Sequence, residues 1–72
     1  MKYFYDVEDV MEILCVGVTY AYKVIKTLNK ELEESGYLTV KGRVSAKYFN
    51  ERYMIDDNDV EEEGEDKNRE RN

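Results

Sequence analysis

The chain has 72 residues, 42% of them hydrophobic and 39% charged, with a formal net charge of −6. A chain this short folds one small core with little room for a deep substrate cleft, and a single cysteine with no histidine argues against both a disulfide framework and a protein zinc site. No apolar run approaches the roughly 20 residues of a spanning helix, and the opening MKYFYDVED turns acidic too early for a signal peptide, so the expectation is a cytoplasmic protein with no membrane partner, cofactor or small-molecule substrate.

The first predicted helix is marked by Val7, Val10, Met11 and Leu14 at i, i+3, i+4 and i+7. Asp6 stands before it as the N-cap, and Glu8 and Asp9 suit the positive end of the helix dipole. Cys15-Val16-Gly17 forms a short connection. A second helix, over 18–34, repeats Ala21, Val24, Ile25, Leu28 and Leu32 on one face and carries Lys23, Lys26 and Lys30 on the other. It stops at Gly36. Glu31, Glu33 and Glu34 crowd its last turn against the dipole, which predicts a frayed end.

At residue 37 the period changes. Tyr37, Thr39 and Val40 favour strand, and Lys41-Gly42 before Arg43-Val44 predicts a short two-stranded hairpin with a basic tip. Ser45 then caps a short third helix from Ala46 to about Tyr53, with Tyr48, Phe49 and Tyr53 available to pack on the core. The remaining stretch, DDNDVEEEGEDKNRERN, has a single apolar residue, Val60, too little to offset the entropy of ordering. The domain is therefore expected over 1–55, followed by a disordered acidic tail over 56–72.

The tail carries the whole charge imbalance. Residues 1–55 hold eight basic and eight acidic groups, whereas 56–72 hold three basic and nine acidic. Within the domain, 1–14 has a net charge of −3 and 19–52 a net charge of +3. A basic middle flanked by acid points weakly to a polyanion. The tail reads as a solubility device or, alternatively, as a competitor that covers the basic face.

Two short amphipathic helices joined by about three residues, followed by a hairpin with a basic tip, give an α+β winged helix-turn-helix. In such units the second helix enters the major groove. Thr19, Tyr20, Tyr22 and Lys23 then face bases or phosphates, with Lys23 and Lys26 beside the backbone. Lys41 and Arg43 of the wing, together with Lys47 and Arg52, become further phosphate candidates. Tyr20 and Tyr22 serve equally well as packing over the first helix. Cys15, at a turn between packed helices with no histidine to act as a base, reads as a small buried hydrophobe, and no catalysis is expected.

About residues 4–53 resemble the small winged helix-turn-helix proteins of phages and conjugative elements, among them excisionases and MerR-like regulators. Their usual pattern is an aliphatic-Ala-x-x-Leu-Gly-Val-Ser core before a Thr-Ala-Tyr-Lys-like recognition helix. Val10, Leu14, Val16, Ala21, Tyr22, Lys23 and Ile25 match it. So do the stretch from Asn29 to Leu32, the exit Gly36-Tyr37-Leu38 and the wing from Lys41 to Val44. Met11, Cys15, Gly17 and Val18 depart from it: Cys15 stands where the turn usually has Gly, Gly17 replaces a Ser N-cap, and Val18 replaces a polar residue. The resemblance implies double-stranded DNA as the partner, with self-association or cooperative binding supplying specificity. It implies DNA bending and recombination directionality for an excisionase, or transcription regulation for a regulator. The alternative is a protein-interaction adaptor or antirepressor on the same fold, supported by the neutral 1–55 segment, seven tyrosines and Val18.

Overall fold

A computed structural model describes residues 2–56. The expected tail therefore lies, from residue 57 onward, outside the described residues. The element order is β1 (Phe4–Tyr5), α1 (Val7–Leu14), α2 (Val18–Glu34), β2 (Val44–Ser45) and α3 (Ala46–Arg52). The class is α+β: three helices and one two-stranded antiparallel sheet.

Helix α1 starts in a capping box. The Asp6 carboxylate accepts from the Asp9 N–H at 3.0 Å, and the Asp9 carboxylate accepts from the Asp6 N–H at 3.1 Å. Lys2 Nζ closes on both Asp9 oxygens at 2.8 and 2.9 Å. The helix ends at Cys15, whose φ of 57° is left-handed. This conformation costs a residue with a Cβ about 1–2 kcal/mol, which explains why glycine is usual there. Cys15 is exposed, contrary to its expected burial, because it lies just past the apolar stripe that ends at Leu14.

Gly17 caps α2 through an extended backbone and contributes no side-chain hydrogen bond. The expected stripe of Ala21, Val24, Ile25, Leu28 and Leu32 is buried. The C-terminus is not frayed. Gly36 adopts a φ of +92°, its N–H donates to Glu33 O at 3.0 Å, and the Tyr37 N–H reaches back to Leu32 O at 2.9 Å. This Schellman closure satisfies carbonyls that would otherwise be orphaned. Two of the acidic side chains of the last turn, Glu31 and Glu33, have partners as well, described below.

The hairpin expected over 37–45 is reduced to a single bridge, Val40 to Arg43. Its turn has positive φ at Gly42 alone, +79°, as in a type II turn, whereas the ladder-forming type I′ turn needs positive φ at both central residues. Lys41 resists that conformation, and a turn without the matching twist splays its strands. Val44–Ser45 pairs instead with the N-terminal strand, Phe4 opposite Ser45 and Tyr5 opposite Val44. The Ala46 N–H extends this ladder to Tyr3 O at 2.8 Å.

Helix α3 is capped by Ser45 Oγ, which accepts from the Tyr48 N–H at 3.2 Å. It projects Phe49 into the centre of the core, fully buried among Tyr5, Val10, Ala21, Ile25, Leu28 and Val44. Tyr5 meets the Phe49 ring edge-on, with centroids 5.3 Å apart. The two short strands therefore hold the N-terminal segment and α3 against the α1–α2 pair, with Lys23, Lys26 and Lys30 of α2 left exposed.

Candidate nucleic-acid interface

Beside its apolar face α2 shows three stripes by helical spacing, two of which take in one buried residue each, Asn29 and Val24. Thr19, Lys23, Lys26 and Lys30 stand at i, i+4, i+7 and i+11 and are all exposed. None of the three lysines pairs with a carboxylate among the described residues; the ion pairs there are Lys2–Asp9 and Arg52–Glu31. This stripe is a row of solvated cations on a rigid helix.

A second stripe, Tyr22, Lys26, Asn29 and Glu33, meets the wing. Asn29 is buried, and its Nδ2 donates to Val40 O at 3.2 Å and Arg43 O at 2.8 Å. Glu33 accepts the Thr39 hydroxyl proton. The wing is thus tied to α2 at both ends of the turn that carries exposed Lys41 and Arg43. Arg43 also lines a shallow cleft with Lys2, Tyr3, Phe4, Asp6 and Asp9. There the capping box and Lys2 already engage the acidic groups.

The third stripe, Tyr20, Val24, Thr27 and Glu31, faces α3. With Lys23, Leu28, Arg52 and Tyr53 it lines an open groove of about 390 Å³. Arg52 grips Glu31 with two hydrogen bonds, Nε to Oε1 at 2.9 Å and a terminal nitrogen to Oε2 at 3.0 Å, and the Tyr48 hydroxyl donates to Oε1 at 2.6 Å. Of the nine residues expected to contact DNA, Thr19, Tyr22, Lys23, Lys26, Lys41 and Arg43 therefore lie on the α2 and wing surfaces. Tyr20 and Arg52 lie in the groove toward α3. Lys47 is exposed on the first turn of α3.

The Arg52 guanidinium and the Tyr48 hydroxyl hold the Glu31 carboxyl well below its ordinary value of 4.5, at about 2. In return, Glu31 pushes the Tyr48 phenol and the Arg52 guanidinium up. A depressed carboxyl contributes stability that is fully present above the unfolded value near 4.5 and lost as pH falls through about 2. The expected result is a thermal midpoint for the wild type above that of Glu31→Gln, by a constant margin above pH 4.5, with the margin closing toward pH 2. Midpoints followed by circular dichroism at several pH values check this; a margin independent of pH would refute it.

Sequence reasoning missed two residues that organise this face, Asn29 and Glu31. Asn29 carried a readable signal, since it interrupts the apolar stripe between Leu28 and Leu32. The partnership of Glu31 with Arg52 spans 21 residues and has no local signature.

Among the described residues, no helix is long and apolar enough to cross a membrane. No group of three His, Cys, Asp or Glu side chains there could hold a metal ion.

The chain is 38% identical over 50 residues to the ICEBs1 excisionase of Bacillus subtilis strain 168, an alignment covering 69% of this chain and 78% of that protein. It belongs to this excisionase family. No family model matches the sequence, and no solved structure matches it. Membership agrees with the resemblance read from the helix-turn-helix residues. In this excisionase-family chain the lysine stripe, the clamped wing and the groove toward α3 all lie on or beside one helix.

Proposed function

We propose that this chain is a small DNA-binding accessory protein of recombination, a directionality factor rather than an enzyme. Residues 1–55 form the binding unit and 56–72 an acidic tail. Helix α2 reads the major groove through Thr19 and Tyr22, and Lys23 meets a phosphate at the groove's edge. Lys26, Lys41, Arg43 and Lys47 hold phosphates, and Tyr20 and Arg52 sit at the margin toward α3. The observation that carries this reading is the row of lysines on α2, unpaired among the described residues, beside a basic wing fixed to the same helix, in a chain of the excisionase family. A domain this small gains site selection by self-association or cooperative binding on repeated sites.

Fluorescence anisotropy of the full chain on a mixed duplex pool across a salt series tests it. Each phosphate contact adds about −0.9 to the slope of log affinity against log salt. The five cations Lys23, Lys26, Lys41, Arg43 and Lys47, none of them paired with a carboxylate among the described residues, give a slope of about −4.5, or a roughly 500-fold loss between 50 and 200 mM salt, when each holds one phosphate. No binding at low salt would reject the reading.

A specific surface favours a second reading, a protein-interaction module. Leu38 is 97% exposed, Tyr37 64% and Val40 47%, all on the approach to the wing. Under that reading Lys23→Ala with Arg43→Ala leaves capture of the protein partner intact. Under the DNA reading the same pair weakens duplex binding.

A further inference from the structure

Asn29 does something that packing alone does not require. It occupies a slot on the apolar side of α2, between Leu28 and Leu32, and is only 8% exposed. An aliphatic side chain would suit that slot. Asn29 Oδ1 is buried there and finds no donor among the described residues, so the amide carries a desolvation penalty that a leucine would not. What the amide adds is its Nδ2, which donates to the carbonyls of Val40 and Arg43, the residues on either side of Lys41-Gly42. Outside the turn the wing is anchored by the Thr39–Glu33 hydrogen bond and by the pairing of Val44 with Tyr5, but the turn itself has little else to hold its shape. Its own ladder is one bridge, with the Arg43 N–H donating to Val40 O at 3.1 Å, and its turn is of the kind that splays strands.

We propose that Asn29 is a positioning residue for DNA binding: by clasping both ends of the wing turn it fixes Lys41 and Arg43 at one distance from the lysine stripe of α2, so that helix and wing engage the duplex as one rigid surface. The inference rests on the DNA-binding reading. Its physical basis is preorganisation. A wing free to swing gives up more freedom on binding than its two phosphate contacts return, so both contacts drop out of the complex, whereas a clasped wing has lost that freedom already. Asn29 itself, buried behind the wing backbone, touches no phosphate.

The test is a double-mutant cycle read by anisotropy on a mixed duplex pool over a salt series, using the full chain. The arms are wild type, Asn29→Leu, Lys41→Ala/Arg43→Ala, and the triple variant. Asn29→Leu fills the slot and removes both donors. The expected result is that Asn29→Leu lowers the salt slope by about 1.8, the value of two phosphate contacts, with a roughly 60-fold loss of affinity at 0.1 M salt. It should match the wing double variant, and the triple variant should lose nothing more. A folded Asn29→Leu with the wild-type slope would overturn the inference while leaving the DNA-binding reading standing. So would a triple variant in which the losses simply add. If Asn29→Leu does not fold, Asn29→Ala is the second arm. Failure of both to fold would assign Asn29 to the core and overturn the inference. Absence of binding by the wild type at low salt would reject the DNA-binding reading, and this inference with it.

Discussion

Replacing Phe49 with Ala is expected to destabilise the domain by about 3–5 kcal/mol, the range for removing a buried aromatic side chain. The ring is fully buried, and it is the piece that joins the two halves of the fold. On one side it packs edge-on against Tyr5 of β1, and on the other it lies 4.8 Å from the Tyr53 ring at the end of α3. Removing it vacates the point where β1, β2, α2 and α3 meet, and two-residue strands cannot collapse into the space without losing their register. A folded unit of this size has a total stability of roughly 3–8 kcal/mol, at about 0.05–0.15 kcal/mol per residue. The variant should therefore lose roughly 40% or more of that stability, and its urea midpoint should fall in proportion. A loss below about 1.5 kcal/mol in equilibrium urea unfolding would show that Phe49 is not the keystone described. Tyr53→Ala, at a position 41% exposed, serves as a comparison of much smaller effect.

Phe49 also shows what was legible before the structure. Its helix was readable, because Ser45 gives a local N-cap signal and the aromatics keep helical spacing. The first two helices were readable for the same reason: stripe, cap and glycine stop are local in sequence. Features that need a distant partner were not. The strand Phe4–Tyr5 is two residues long, too short for any alternation to register, and only Val44–Ser45 makes it a strand. The hairpin was half-read. Lys41-Gly42 does form a turn, but the one positive φ that Gly42 supplies makes the wrong twist for a ladder. The frayed end expected of α2 failed for a similar reason. The charge crowding is real, yet Glu31 is held by Arg52 and Tyr48 from α3 and Glu33 by Thr39, and pairings of that kind follow from tertiary placement.

The candidate interface divides along the same line. Lysines at i, i+3 and i+7 opposite an apolar stripe were enough to identify the outer face of α2. Whether a given aromatic belongs to that face depends on rotation around the helix and on what α3 covers. Tyr20 and Tyr22 differ by two residues, and so lie on different sides of α2, one lining the groove toward α3 and the other standing on the stripe that meets the wing. Arg52, read from its charge as a phosphate candidate, lies against Glu31. An arginine that enters DNA binding from such a bidentate pair must first leave it or share it, which separates it from the solvated lysines.

Removing the four cations at the centre of the proposed interface, Lys23, Lys26, Lys41 and Arg43, each to Ala, is expected to weaken duplex binding about 4000-fold at 0.1 M salt. The estimate follows from counterion release. The five cations give a slope near −4.5, and Lys47 alone leaves about −0.9, a difference of 3.6 per decade of salt. The fold should survive, because all four side chains are exposed and none pairs with a carboxylate among the described residues. The wing backbone is held by Asn29, Gly42, the Val40–Arg43 bridge and the Thr39–Glu33 hydrogen bond, none of which uses the four side chains removed. Unfolding midpoints should therefore stay within about 0.5 kcal/mol of wild type for each substitution, as for surface positions generally. The combination of intact stability, lost affinity and flattened salt dependence is what separates a phosphate-binding face from an ordinary solvated one. If the variant keeps the wild-type slope, the cations that meet DNA lie elsewhere. Lys47 and an Arg52 released from Glu31 would be the next to remove, and the duplex would then approach along the groove between α2 and α3 instead of between α2 and the wing.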